Sequence, residues 1–273
     1  MRTIKKVASH IFIDGFGGMT QGLFATLIIG TMIQQIGLLI GGSTGNVIYL
    51  LGKAAAALTS AGIGVGVAVK YGESPLVTVS AAVAAMVGGY AGKITGGTFF
   101  VDGNAVLAGP GEPLGAFIAA FAGITCGHLV SGKTKVDIIV TPVITIGAGS
   151  VVGLLVGPPI SQMMTGLGSI INWATEQRPF IMGIVVSVVM GMVLTLPISS
   201  AALGIILNLS GLAAGAATIG CCCNMVGFAV ASYRENKFGG LVAQGLGTSM
   251  LQVPNIMRHP LIWLPVIFSS AIL

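Results

Sequence analysis

The chain has 273 residues, of which 54% are hydrophobic and only 7% charged, where a soluble globular protein carries roughly 25% charged residues. That shortfall excludes an ordinary soluble domain, and polar residues are too rare to give the alternating segments of a membrane β-barrel. The net charge of +5 comes without a dense basic cluster interleaved with aromatics, so no nucleic acid is expected as partner; Lys and Arg gathered in cytoplasmic loops account for it.

The first residues, 1–13, have a basic start, but Asp14 breaks the apolar stretch and no small-residue cleavage site follows. This predicts an amphipathic helix lying on the membrane rather than a signal peptide. No Asp, Glu, Lys or Arg occurs in 15–52, 138–175 or 179–233, and each run holds one or more crossings of about 20 residues. The pattern predicts an all-α polytopic membrane protein, a single membrane domain over 1–273 with about eight to ten transmembrane helices and two re-entrant hairpins.

In chain order, crossings are expected at 16–40 and 46–69, joined by a Gly/Ser turn. A polar loop at 70–75 follows, then a crossing at 76–92. Residues 94–112 form the first candidate hairpin. The next crossing, 114–130, ends at a second polar loop, 131–137. The span 138–156 is expected to stop at Gly157-Pro158-Pro159, leaving 160–175 as a short interfacial or re-entrant piece. Another crossing, 180–196, is interrupted by Pro197. A Gly/Ala-rich block follows, with 198–222 the second candidate hairpin. A third polar loop lies at 234–237, and apolar pieces at 239–252 and 261–273 complete the series.

With a cytoplasmic N-terminus, an even number of crossings puts loops 70–75, 131–137 and 234–237 on one side. Arg2, Lys5, Lys6, Lys70, Lys133, Lys135, Arg234 and Lys237, eight of the twelve basic residues, then agree with the positive-inside rule. The expected location is a bacterial inner membrane with the N-terminus inside. The chain stops within an apolar run, which fits either a final crossing or a piece of a longer protein.

Glycine, at 43 residues, suits close helix packing. Where Gly and Pro cluster with a polar residue, a broken helix is expected instead. Irregular backbone at membrane depth is tolerated where it is buried in protein or lines a cavity, and transporters build midplane solute sites from such breaks. The stretch 99–117, FFVDGNAVLAGPGEPLGAF, has this grammar, and an intramembrane carboxylate reads by default as functional. Glu112, between Gly111 and Pro113 at the start of an apolar helix, is placed to cap that helix and to accept hydrogen bonds from a hydroxylated solute. Asp102 and Asn104 are candidates from the other arm. The alternative is an ordinary extramembrane loop, for which Phe99, Phe100, Val101, Val106 and Leu107 are a poor composition. The block 195–228 carries Asn208 and Asn224 with several serines and no charge, which suits a neutral polyhydroxy solute or, equally, a packing interface. A third candidate, Gln244, opens a broken stretch near Pro254.

Cys221, Cys222 and Cys223 are adjacent, so they diverge on a helix and read as packing residues rather than a metal or redox site. His128 and His259 stand alone near helix ends, as structural groups. The sequence holds no nucleophile elbow, P-loop or HExxH motif. No metal, cofactor or enzyme chemistry within the chain is expected.

GPGEPLGAF at 109–117, GxGSVVGLLVGPPI at 147–160, ATIGCCCNMVGFAVASYREN at 217–236 and GGLVAQGLGTSMLQVPNI at 239–256 together resemble one family. It is the membrane-embedded IIC component of bacterial sugar phosphotransferase systems, in the branch that includes the PfoR-type regulatory membrane proteins. The resemblance, from about residue 10 to the end, implies membrane helices with two re-entrant hairpins, often in a homodimer. It also implies a hairpin glutamate that contacts the sugar, a role the motif match carries to Glu112. There is no IIA or IIB domain, so any phosphoryl transfer would need separate IIA and IIB partners. Two functions follow: a transporter of a sugar, polyol or related polar metabolite by alternating access, or a membrane sensor that passes ligand occupancy to a regulatory protein.

Overall fold

A computed structural model describes residues 14–107, 109–196 and 211–273 of the chain. It divides into two compact units, Met1–Ser161 and Gln162–Leu273. Residues 1–13, expected as a surface helix, lie outside the described residues. So do 198–210, with Asn208.

The first unit opens with α1 (Phe16–Leu23), a π-helical turn (Phe24–Ile28) and α2 (Ile29–Ile40), which together make a 25-residue apolar span. Then come α3 (Gly42–Ala57) and α4 (Thr59–Lys70). The sequence reads 46–69 as one crossing, but the chain bends there by 53°. The cause is local. Leu58 leaves helical geometry at φ −87° and ψ 10°, and the Thr59 hydroxyl takes the Ala56 carbonyl at 2.6 Å. A side chain thus competes with the backbone for a helical acceptor.

Helix α5 (Pro75–Gly89) starts where Pro75 follows Ser74, whose hydroxyl accepts from the Val77 N–H. It stops at Tyr90, and a short α6 (Ala91–Thr95) follows. Residues 94–112, expected as a re-entrant hairpin, contain two short strands, β1 (Phe100–Val101) and β2 (Asn104–Ala105). Asp102 at φ 50° and Gly103 at φ 76° form the tip, the two-residue turn that Asp-Gly favours because both residues tolerate positive φ. The chain then enters α7 (Pro113–Val130), a full-length span.

Helix α8 (Asp137–Gln177) runs without interruption through Pro158 and Pro159, where the sequence predicts a stop. Each proline removes an N–H donor, but its fixed φ is compatible with a helix. Gly157 lies so close to the α5–α6 junction that a Cβ would come 2.5 Å from that of Ala91. Packing against that junction therefore supports α8 where its own ladder is weakest, and residues 160–175 continue it.

Small residues allow this closeness. Ala81, Ala84, Ala85, Ala116, Ala119 and Ala120 are fully buried on α5 and α7. A Cβ on Gly18 of α1 would lie 2.6 Å from the Gly66 carbonyl oxygen of α4, the near-backbone contact that membrane helices use in place of a hydrophobic driving force. At one end of the unit, the hydroxyls of Ser74 and Ser131 are 2.9 Å apart. Asp137 there accepts from the Gly132 N–H at 2.9 Å and the Thr141 hydroxyl at 2.6 Å. Loops 70–75 and 131–137 therefore share one end of this unit.

The second unit contains the end of α8, α9 (Pro179–Thr195) and α10 (Gly211–Ala231). The described part of the second expected hairpin, 211–222, is thus the first half of a spanning helix. It is held straight against α9, where Gly191 would meet the Gly220 carbonyl at 2.8 Å if it carried a Cβ. Beyond lies α11 (Tyr233–Val242), kinked at Lys237. A π-helical turn (Ala243–Gly247), a 3-10 turn (Ser249–Gln252), α12 (Val253–Arg258), another 3-10 turn (Pro260–Trp263) and α13 (Leu264–Ile272) follow. Phe228, Ile256 and Val266, with Trp263 against them, form its small apolar core.

Among the described residues, four helical stretches are long and apolar enough to cross a membrane: Phe16–Ile40, Pro113–Val130, Asp137–Met163 and Gly211–Ala231. The bent pair α3–α4 makes a fifth if it is one broken span. Against the expected eight to ten crossings, the described residues thus give four or five, with three apolar helices too short for that test, Pro75–Gly89, Phe180–Thr195 and Pro260–Ile272.

Candidate functional site

Glu112 is the residue that caps α7, with extended backbone at φ −89° and ψ 111°. Pro113 at the first helical position has no N–H to satisfy, so the carboxylate reaches the next donor, the Leu114 N–H, at 3.5 Å. This is a long bond. The Glu112 N–H donates to the Gly89 carbonyl at 2.7 Å. Burial pushes the carboxyl above its usual range, and the Leu114 N–H pulls weakly the other way. Among the described residues no cation pairs with it. The result is a half-buried acid at a helix N-terminus whose acceptor capacity is almost unspent.

The loop carrying Glu112 is held at two further points. The Tyr90 hydroxyl donates to the Gly109 carbonyl and lies 3.3 Å from that of Ala57. The Ser60 hydroxyl donates to the Pro110 carbonyl at 3.0 Å. Gly111 sits between them at φ 76°, where a Cβ would be 2.5 Å from the Ser60 oxygen. Three helix breaks therefore meet here: the α3–α4 bend, the α5–α6 junction, and the loop into α7.

Asp102 and Asn104 are exposed at the β-turn tip, where Asn104 Nδ2 donates to the Asp102 carbonyl at 3.3 Å. Neither bonds to the Glu112 loop among the described residues. The hairpin's base does reach that loop through Tyr90, whose ring packs on Phe99 at 5.3 Å. Lys93 Nζ lies 5.4 Å from the same ring.

In the second unit Gln244 lies on the broken stretch 243–252, and Asn224, within α10, bonds to Ser249 of that stretch. Asn224 Nδ2 donates to Ser249 at 3.2 Å, and Gln244 Nε2 to Ser232 at 2.9 Å. Gln252 donates to Gln244 Oε1 at 2.9 Å and itself accepts from Asn255 at 2.8 Å. Asn224, Gln244 and Gln252 are nearly fully buried; the two glutamines are bonded to each other, and Asn224 only to Ser249. His128, expected as a structural group, lies 3.0 Å from Glu73 Oε1.

Sequence reasoning finds Glu112 but not Ser60 or Tyr90. They act over separations of 50, 33 and 19 residues, and neither stands in a motif. The break after Gly88-Gly89 is the one local signal near Tyr90.

A search of curated proteins and one of solved structures each give no match. A family model described as "Phosphotransferase system, EIIC" matches residues 13–273.

Proposed function

The chain belongs to the phosphotransferase system EIIC family, and from that premise we propose that it moves a small polar solute, a sugar, polyol or related metabolite, across a membrane, with Glu112 as the group that contacts it. The observation that carries this is the Glu112 carboxylate, half-buried and, among the described residues, without a cationic partner and with a single long bond. A carboxylate so placed is an acceptor waiting for donors, and bonds to a charged acceptor contribute about 1.5–3 kcal/mol each.

Depth supports the reading. From the loop end at 70–75, α4 rises 12 residues and α7 runs 18, or roughly 18 and 27 Å, to the level of Glu112. The α4 rise falls short of the about 30 Å hydrocarbon core, whereas α7 is long enough to span it. The three breaks around Glu112 resemble the discontinuous helices from which transporters make solute sites. Asn224 and Gln244 would contribute only by exchanging their present partners, and Asp102 and Asn104 only by movement of the hairpin. In this proposal the chain is a homodimer in a bacterial inner membrane, N-terminus inside, and takes phosphoryl groups, where it uses them, from separate IIA and IIB proteins.

A thermal-shift screen of sugars, polyols and organic acids tests it. Saturable stabilisation of the wild type that is lost in Glu112→Gln is expected. Equal stabilisation of both proteins overturns the site.

A second reading, a sensor of the PfoR type, is favoured by the tie between loops 70–75 and 131–137. Bonds at Ser74–Ser131 and Glu73–His128 make one surface of them, on which a regulatory partner would read occupancy. Ligand binding without uptake in vesicles selects this reading.

A further inference from the structure

Tyr90 stands where the three breaks meet, and its side chain touches all of them. Its hydroxyl donates to the Gly109 carbonyl and lies 3.3 Å from that of Ala57, the last residue before the α3–α4 bend. Its ring packs on Phe99 at the base of the β-hairpin. Tyr90 itself is 1% exposed, so its hydroxyl has no water to fall back on. Ser60, on the far side of the bend, is fully buried and donates to the next carbonyl of the loop, that of Pro110. Both residues thus bind successive carbonyls two and three positions ahead of Glu112. Among the described residues neither bonds to the carboxylate itself.

These bonds do work that α7 cannot do alone. Gly109 and Gly111 both have positive φ, so 109–111 is irregular backbone without a helical ladder. Its carbonyls take their donors from side chains instead, Gly109 from Tyr90 and Pro110 from Ser60. We propose that Tyr90 and Ser60 are positioning residues that latch the Glu112 loop to the α3–α4 bend, so that the carboxylate keeps its half-buried place only while that bend is in contact with it. The proposal rests on Glu112 being the site, and extends it. A movement of α3 against α4 would reach the solute contact through these two hydroxyls, which gives alternating access a mechanical link inside the first unit.

The test uses a reagent rather than the unidentified solute. Dicyclohexylcarbodiimide, a hydrophobic carbodiimide, modifies protonated carboxyls in apolar surroundings. The full chain in liposomes is labelled across pH 5 to 9, values set by the assay, and Glu112 modification is followed by peptide mass spectrometry. Wild type is expected to label at Glu112, and Glu112→Gln to lose that label. Tyr90→Phe keeps the ring on Phe99 and removes only the hydroxyl; Ser60→Ala does the same for the second bond. Each is expected to admit water to the loop, shift the labelling midpoint to lower pH and slow labelling at neutral pH by about threefold or more, equivalent to half a pH unit. A parallel melting curve reports folding, and if Tyr90→Phe does not fold, Ser60→Ala decides. Unchanged rate and midpoint in the folded variants overturns the latch, as does a wild type that does not label at Glu112. The reading of Glu112 as the solute contact fails by a separate result, retained solute binding in Glu112→Gln.

Discussion

Glu73 and His128 are 55 residues apart in the chain, yet the His128 Nδ1 lies 3.0 and 3.2 Å from the two Glu73 carboxylate oxygens. Glu73 belongs to the loop between α4 and α5, and His128 to the last turn of α7. With the Ser74–Ser131 contact, this pair fixes one end of the first unit. Helix α7 then carries the chain about 27 Å away, from its 18 residues at 1.5 Å each, to Glu112 and the β-hairpin before it.

Opposite accessibility is the first consequence. With the four native cysteines replaced by serine, Lys133→Cys and Asp102→Cys are expected to react with a membrane-impermeant maleimide from opposite sides of a sealed vesicle. Reaction of both from the same side would contradict the spanning assignment of α7.

The Glu73–His128 pair itself should add little stability. The Glu73 side chain is 9% exposed but that of His128 is 71% exposed, and a pair screened by solvent on one side stays near the about 0–1 kcal/mol of surface pairs. His128→Ala is expected to leave the melting temperature within a degree or two, on the order of that contribution. A large drop would mean that the loop tie carries more than one exposed bond.

Glu112→Gln should separate function from stability. Burial raises the carboxyl's pKa in the folded chain. Its favourable contribution is therefore full below the unfolded carboxylate value and is lost as pH rises through the folded one. Above the folded value the ionised group is a burden that glutamine removes while keeping an oxygen for the Leu114 N–H. The variant is expected to melt at or above the wild-type temperature at pH 8, an assay condition, and to lose solute affinity about tenfold or more, as for a charged hydrogen bond. Lowered stability with unchanged affinity would make Glu112 a structural cap.

How far the sequence reveals this arrangement depends on the range of the interaction. Glu112 is visible because its signal is local, a carboxylate between Gly111 and Pro113 ahead of an apolar helix, and the helices at 16–40 and 113–130 are visible from hydropathy alone. The bend at Leu58 is not, since it turns on one threonine hydroxyl within an apolar run. The β-turn is written in Asp102-Gly103, but flanking apolar residues give equal weight to a membrane hairpin. Continuity of α8 through Pro158 and Pro159 comes from contact with Ala91 and Gly88, which no local pattern encodes. Tyr90 and Ser60 act entirely through distant carbonyls.

Glycine positions give a paired test of packing. Gly18→Ala brings a methyl 2.6 Å from the Gly66 carbonyl oxygen, while Gly147→Ala adds one that meets nothing within 4 Å. The first is expected to destabilise by about 1–3 kcal/mol, as overpacking does. The second is expected to be neutral or slightly stabilising, since alanine restricts the unfolded chain. Melting of both in one detergent checks this, and equal effects would contradict the tight α1–α4 contact.

The amides of the second unit make the last prediction. Gln244 accepts from Gln252 and donates to Ser232, and both glutamines are almost fully buried. Gln244→Leu strands the Gln252 N–H in an apolar setting, at a cost of about 1–3 kcal/mol. Adding Gln252→Leu removes the stranded donor and frees only Asn255, which is exposed and can turn to water or headgroups. The double variant is therefore expected to be more stable than Gln244→Leu alone, the non-additivity of residues in one network. Additive losses would mean that the two side chains contribute separately, and that the bond between them does not set the geometry of 243–252.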